Sequence, residues 1–217
     1  MLLAIDTSTR QIGLAVFDGA VVLAESVWTS PFHHTVELAP AAARALKEAG
    51  IAAGGLTAIG VAIGPGSFTA LRTGLAFAKG LALPRELPLI GVPSLDVTAA
   101  GQPGSDLPLA AVLEAGRTRL AAGRYAWSAP AWRPSGKPEL VTPDELAAGI
   151  AEPIIVCGEL GPAVREALEG HPFARLSEIG RRPAVLAELA WRRFSAGERD
   201  DPDTLAPIYL STAGLDP

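Results

Sequence analysis

Three short clusters in this 217-residue chain carry side chains that could do chemistry. Asp6-Thr7-Ser8-Thr9 follows the first apolar run and sets a carboxyl beside three hydroxyls. A carboxylate so placed can hold a hydrated Mg²⁺ or orient a water, and hydroxyls can meet phosphate oxygens. The same residue types also bond their own backbone and make tight turns, so a purely local role competes with the chemical one. Gly64-Pro65-Gly66-Ser67 opens a helix after another apolar run, and amides at a helix N-terminus can cradle an anion. The third cluster is His33-His34, with Glu37 and Leu38 one helical turn further on. A metal-holding His-x-x-x-His pair puts both rings on one helical face, whereas adjacent histidines diverge by about 100°. His33 with Glu37 is only a two-ligand stub, so no metal site is expected.

Other constellations fall short of a catalytic site. Ser67 in GPGSF lacks the Gly-x-Ser-x-Gly elbow, and no histidine pairs with it recognisably. GPGSFT also lacks the Gly-Lys-Ser/Thr ending of a Walker loop, and Lys79 lies too far down the helix to replace that lysine. His171, in the Pro-bounded turn EGHPFA, reads as structural. Cys157 is the one cysteine; it can form no internal disulfide, and its apolar flanks make it a buried small hydrophobe. No catalytic residue is assigned.

These clusters need elements to position them. LLAID (2–6), IGLAVFD (12–18) and AVVLAESVW (20–28) read as strands, with Asp18-Gly19 as a hairpin turn. A helix over 34–50 places Leu38, Ala42, Ala45, Leu46 and Ala49 on one face and Glu37, Arg44, Lys47 and Glu48 on the other. A strand at 58–64, a helix from Ser67 to about residue 82 and a strand at 88–92 complete an order of β-β-β-α-β-α-β. The order recurs more faintly further on. Strands at 107–116, 119–127 and 138–142 form a second meander. They precede a helix at 143–150 capped by Thr142, a strand at 153–159, a helix at 161–170, a strand at 174–178 and a helix at 183–194. GQPGSD (101–106) is the expected linker. Residues 1–100 thus form one lobe, 107–204 a smaller degenerate lobe, and 205–217 a tail that returns to the first. The fold class is α/β, a duplicated actin-like ATPase (ribonuclease H-like) fold.

The chain is 49% apolar, enough to build a sizeable core without disulfides. Its net charge is −5, with 18 basic residues among 23 acidic ones and only Arg181-Arg182 and Arg192-Arg193 as basic pairs. That charge argues against the broad basic surface by which proteins grip nucleic acid unaided, so contact with RNA is expected through a partner. No signal-peptide pattern opens the chain and no apolar stretch is long enough for a bilayer, which gives the expectation of a cytoplasmic protein without membrane contact.

MLLAIDTSTRQIGLAVFDG, HHTVELAPAAARAL, GVAIGPGSFTALRTGLAFAKGLAL, GVPSLDVTA and a closing LAPIYL stand in the order and spacing of the bacterial TsaB (YeaZ) family. The resemblance is strong over the first 100 residues and weak over 107–217. It implies an accessory subunit in making N6-threonylcarbamoyladenosine at position 37 of tRNA. The implied partners are a catalytic TsaD-like transferase and a TsaE-like ATPase, with tRNA met only indirectly and a homodimer formed when the chain is alone. It implies no cofactor of the chain's own, although ATP or ADP with Mg²⁺ at a shared interface stays open. The nucleotide or anion candidates are then Asp6, Thr7, Ser8, Thr9, Gly64, Gly66 and Ser67.

The helix from Ala70 shows why a partner is expected. Arg72 and Lys79 share one direction, while Leu71, Leu75, Phe77, Leu81 and the small residues Thr73, Gly74, Ala76, Ala78 and Gly80 fill the rest. Covering its own sheet needs an apolar stripe of only about 100°. Either the 34–50 helix shelters the surplus or another polypeptide does. The expected interface residues are His34, Leu38, Ala42, Leu71, Arg72, Leu75, Ala76 and Lys79. Two rival readings remain: a small-molecule kinase or ATPase using Asp6, Thr9 and Ser67 around Mg-ATP, and a partner-binding homodimer with no tRNA role.

Overall fold

The computed structural model of the chain describes residues 1–30, 34–116 and 118–210. They form two compact units, one from Met1–Val97 with Arg182–Ile208, the other chiefly from Thr98–Arg181.

In the first unit, aliphatic runs separated by turn residues become one mixed sheet. β1 (Leu2–Asp6) pairs antiparallel with β2 (Gln11–Phe17), and β2 with β3 (Val22–Thr29). The turn between β2 and β3 closes on Asp18, whose carboxyl accepts from the Val21 and Ala20 amides and is held below the usual carboxylate range by them. β4 (Ala58–Ala62) joins β1 in parallel and β5 (Leu89–Val92) joins β4, giving the order β3-β2-β1-β4-β5. The crossovers are α1 (His34–Glu48) and α2 (Phe68–Ala82). Strand alternation sends Leu3, Ile5, Ile12, Leu14, Ile59 and Val61 towards α1 and α2, where Leu38, Ala42, Leu75 and Ala78 meet them. Leu2, Ala4, Ala15, Ala58, Ala62 and Ile90 face the opposite side. After β5, α3 (Ser94–Ala100) follows, a helix that the sequence reading left unassigned.

The second unit repeats the pattern in reduced form. β6 (Leu109–Glu114), β7 (Leu120–Ser128), β8 (Ala131–Pro134), β9 (Glu139–Val141), β10 (Ile154–Gly158) and β11 (Ala174–Leu176) form a sheet of order β11-β10-β6-β7-β8, with β9 also on β7. As in the first sheet, a meander leads into two parallel pairings, β6 with β10 and β10 with β11. This repeated order is that of the duplicated actin-like, ribonuclease H-like fold. Its helices α4 (Pro143–Ala148) and α5 (Pro162–Ala167) have 6 residues each, against 15 in α1 and α2. Thr142 caps α4 in a reciprocal box: its hydroxyl accepts from the Glu145 amide while the Glu145 carboxyl accepts from the Thr142 amide. The strand expected at 138–142 is present as β9 on β7, and β8, which sequence did not show, pairs with the later half of β7 across a tight hairpin where Trp127 and Trp132 meet edge to face.

The lobe boundary also differs from the one drawn on sequence. α6 (Pro183–Ser195) lies on the first sheet, so residues 182–204 belong to the first unit rather than the second. The reason is steric fit. Leu186, Ala187 and Ala190 settle on a face of Ala4, Ala15, Ala58 and Ala62, and Ala190 lies so close that a Cβ on Gly60 would fall 2.7 Å from its methyl. Glu25 on β3 ties the start of this helix by accepting from the Ala184 amide and pairing with Arg182. Beyond α6 the chain runs along the β5 edge. The Asp200 amide donates to Leu89 O, the Gly91 amide donates to the Asp200 carboxyl, and the Arg193 guanidinium donates to Gly91 O at 2.6 Å. The Ile208 amide then donates to Ile63 O at 2.7 Å. Of the tail, residues 211–217 lie outside the described residues. Among the described residues no helix is long and apolar enough to cross a membrane.

Cys157 on β10 is fully buried, and burial pushes its thiol up to about 12. We predict that Ellman's reagent at pH 8 leaves the folded protein unmodified and titrates one thiol after denaturation in urea. Because the folded pKa exceeds the unfolded value of about 8.5, this group costs stability as pH rises above that value. A thermal midpoint that falls between pH 8 and 10, and falls less in Cys157→Ala, is the expected outcome.

Candidate functional site

The loop after β1 stands where actin-like folds present phosphate ligands, but its side chains point into the first unit. Asp6 and Thr9 are 2% exposed, and Thr7 and Ser8 are fully buried. Ser8 Oγ donates to Asp6 Oδ1 at 2.7 Å, and the Ser8 amide donates to the same oxygen at 2.9 Å. Ser94, at the start of α3, has its Oγ 2.5 Å from Ser8 Oγ. Since the Ser8 proton goes to Asp6, Ser94 is the donor of that contact, and its own oxygen accepts from the Gly64 amide at 2.9 Å. A chain of hydrogen bonds thus runs from the Gly64 amide through Ser94 and Ser8 to Asp6. Thr7 Oγ1 donates to Ala70 O in the first turn of α2, and Thr9 Oγ1 accepts from the Gln11 amide.

Close backbone approach accounts for the glycines of this region. The Ser67 amide donates to Ser8 O at 2.7 Å, and a Cβ on Gly66 would lie 2.1 Å from that oxygen. A Cβ on Gly74 would lie 2.1 Å from Thr7 Oγ1, so only glycine lets the threonine reach Ala70 O. The structure therefore brings Asp6, Thr7, Ser8, Thr9, Gly64, Gly66 and Ser67 together. A phosphate would reach the Thr7 and Ser8 hydroxyls only by displacing the bonds that fasten β1 to α2 and α3. His34 Nε2 lies 3.0 Å from Thr9 O; a carbonyl only accepts, so this nitrogen carries the proton. Glu37 Oε2 accepts from the Trp28 indole at 2.9 Å, and His33 lies outside the described residues.

The predicted interface divides in two. Leu38, Ala42, Leu71 and Leu75 are 1–5% exposed and belong to the chain's own interior, which corrects their assignment to a partner contact. A helical wheel shows which side chains share a direction; it does not show that α1 and α2, lying side by side on one sheet, cover each other's flanks. Arg72 and Ala76 are exposed, and His34 and Lys79 half-buried. Between the helices runs an open groove of about 520 Å³, walled by His34, Thr35 and Leu38 on one side and by Phe68, Thr69, Arg72, Ala76 and Phe77 on the other. The Arg72 guanidinium lies 3.8 Å over the Phe68 ring, a cation–π contact. Sequence reasoning missed Phe68, 53% exposed, and Leu83, 77% exposed. The available signal was spacing: Thr69, Arg72, Ala76, Gly80 and Leu83 recur every three or four residues, which is one helical stripe.

The family model described as "TsaD: tRNA N6-adenosine threonylcarbamoyltransferase" matches residues 29–157, more than half the chain. The chain is 33% identical over 144 residues to the tRNA threonylcarbamoyladenosine biosynthesis protein TsaB of Bacillus subtilis, covering 66% of this chain and 60% of that protein. It is 38% identical over 100 residues to the protein of the same name from Escherichia coli, covering 46% and 43% respectively. The matches thus span less than two thirds of those relatives' length. Among solved structures, YeaZ from Pseudomonas aeruginosa superposes with a TM-score of 0.79 at 27% identity, over 96% of this chain and 99% of that one.

Two glycines of α2 make a direct test of the loop's packing. Gly74→Ala forces Thr7 off Ala70 O and is expected to cost about 1–3 kcal/mol, the usual range for overpacking. At Gly80 a Cβ would meet nothing within 4 Å, so Gly80→Ala is expected to raise stability by about 0.5–1 kcal/mol through helix propensity. Urea unfolding of both variants checks the opposite signs.

Proposed function

The chain belongs to the TsaB (YeaZ) family, and from that premise we propose a non-catalytic accessory subunit in forming N6-threonylcarbamoyladenosine at position 37 of tRNA. In this reading it docks on a TsaD-like transferase through the α1–α2 face and holds that subunit in a competent shape. A TsaE-like ATPase joins the assembly, tRNA is contacted through the partners, and the isolated chain pairs with itself. Nucleotide with Mg²⁺ binds only at an interface shared with a partner.

The observation that carries the proposal is the groove between α1 and α2. It leaves apolar side chains in water on helices whose other faces are already packed. The loop after β1 supports it from the other direction, because the Thr7 and Ser8 hydroxyls, which would meet a phosphate, are spent on the chain's own backbone and side chains. A specific contact commonly buries about 1,600 Å² in total. The exposed Leu83, just after α2, extends the apolar area beyond the groove.

The test uses Ala76→Arg, which puts a long cation on the wall of the groove and leaves the interior alone. The expected result is loss of co-purification with the TsaD homologue of the same cell, with an unchanged circular dichroism spectrum and thermal midpoint. Retained co-purification would remove the groove from the interface. Leu75→Glu is unsuitable, since it buries a carboxylate in the core and unfolds the chain. Calorimetric titration of ATP into the isolated chain is expected to show no micromolar binding; binding with turnover would replace this reading with a phosphotransferase.

A further inference from the structure

Resting on the reading that the isolated chain pairs with itself, we propose that it does so along the outer edge of β3, joining two copies into one continuous sheet about a two-fold axis at Val27. The first sheet has two edges, and the chain treats them differently. Along β5, the Asp200 amide donates to Leu89 O and the Gly91 amide to the Asp200 carboxyl, so the chain covers that edge itself. β3 has no such cover among the described residues. Just past it, the Ser30 amide donates to Arg10 O. In the register of β2 with β3, that bond puts Ala24, Ser26 and Trp28 in the hydrogen-bonded set and turns the amides and carbonyls of Glu25, Val27 and Thr29 outwards. None of those outward groups has a backbone partner among the described residues. Edge strands are commonly blunted by lysine, proline or a bulge. β3 holds neither lysine nor proline, its irregularity lies at the Val22 end, and Val27 is 46% exposed.

Any extended segment could meet the main chain of this edge, but the side chains select a second copy. Antiparallel pairing about Val27 sets that valine opposite its counterpart, Glu25 opposite the other copy's Thr29, and Ser26 opposite the other copy's Trp28. The two valines cover each other, and the threonine hydroxyl can donate to the carboxylate. No like charges stand opposite, because Glu25 is the one charged residue of β3 and it already pairs with Arg182. On the α1 side the two Trp28 rings become diagonal neighbours, within reach of each other. A recess of about 340 Å³, which Trp28 lines together with Val36, Pro40 and Arg44, gives them room. Each outward amide and carbonyl of one copy then meets its equivalent set on the other, as a closed two-fold interface requires. The recess shares no lining residue with the α1–α2 groove, so the groove stays open to another partner.

Sedimentation and crosslinking of the full chain test the seam. The parent chain is expected to sediment as a dimer. Val27→Lys sets two solvated cations together at the axis and weakens the dimer by about tenfold or more, with an unchanged circular dichroism spectrum. Val27→Pro removes an amide that bonds nothing within the chain and gives the same loss, whereas Ala76→Arg, in the groove, leaves the dimer intact. Crosslinking reads the register. In a hydrogen-bonded antiparallel pair the Cα atoms lie about 5.5 Å apart, within disulfide reach, so Val27→Cys joins copy to copy on oxidation. Thr29→Cys, which faces Glu25 rather than itself, does not, and the native Cys157 is buried and takes no part. A dimer that survives Val27→Lys refutes the β3 seam, and its loss in Ala76→Arg would move self-association to the groove. A parent chain that sediments as a monomer overturns the self-pairing reading as well. If Val27→Cys crosslinks in the cell to a different protein instead, a foreign strand takes the edge and the two-fold seam is refuted.

Discussion

The structure of the first unit turns on the hydrogen-bonded chain at the end of β1. Gly64, Ser94, Ser8 and Asp6 come from three separate stretches of sequence, and each polar atom in the chain is matched to another. Buried hydroxyls and amides cost free energy unless partnered, by about 1–3 kcal/mol for each one orphaned. The β1 loop, the turn before α2 and the start of α3 must therefore meet in one arrangement. Thr7 extends the constraint by bonding Ala70 O, which sets α2 against the sheet at a spacing only Gly74 permits. The position of the proposed docking helix is in this sense fixed by the loop.

That dependence resolves the apparent contradiction between a phosphate-type loop and an apolar helix behind it. Both belong to one structural device. The loop offers hydroxyls to the chain's own interior, and the helix it anchors is free to present its outer stripe. The groove between α1 and α2 then combines exposed Phe68, small Ala76 and the cation of Arg72. On the proposed reading, a fold that elsewhere manipulates nucleotides is here a shaped surface, and the acidic chain as a whole leaves RNA contact to its partners.

Much of this was legible in the sequence. The five strands and two long helices of the first unit follow from aliphatic runs, Asp18-Gly19 and helical spacing, and the repeat of that order is visible through the shorter second half. Thr142 as a cap is a local matter of three residues and is read directly. The helix at 183–195 is equally visible as a helix, yet its sheet is not, because an alanine-rich face such as that of Ala187 and Ala190 fits any surface of small residues. α3 escaped notice because only 7 residues long it offers barely two turns of periodicity.

Sequence alone thus determined which residue types gather in the loop after β1, which stretches alternate as strands, and that α2 carries more apolar surface than one sheet needs. These are properties of near neighbours along the chain, where spacing decides direction. Only the tertiary structure decided that the Thr7 and Ser8 hydroxyls are spent inward, that Leu38, Ala42, Leu71 and Leu75 are sheltered by the chain itself, and that Arg72, Phe68 and Ala76 are left outside. Those outcomes depend on which elements lie against one another, and burial is set by neighbours distant in sequence.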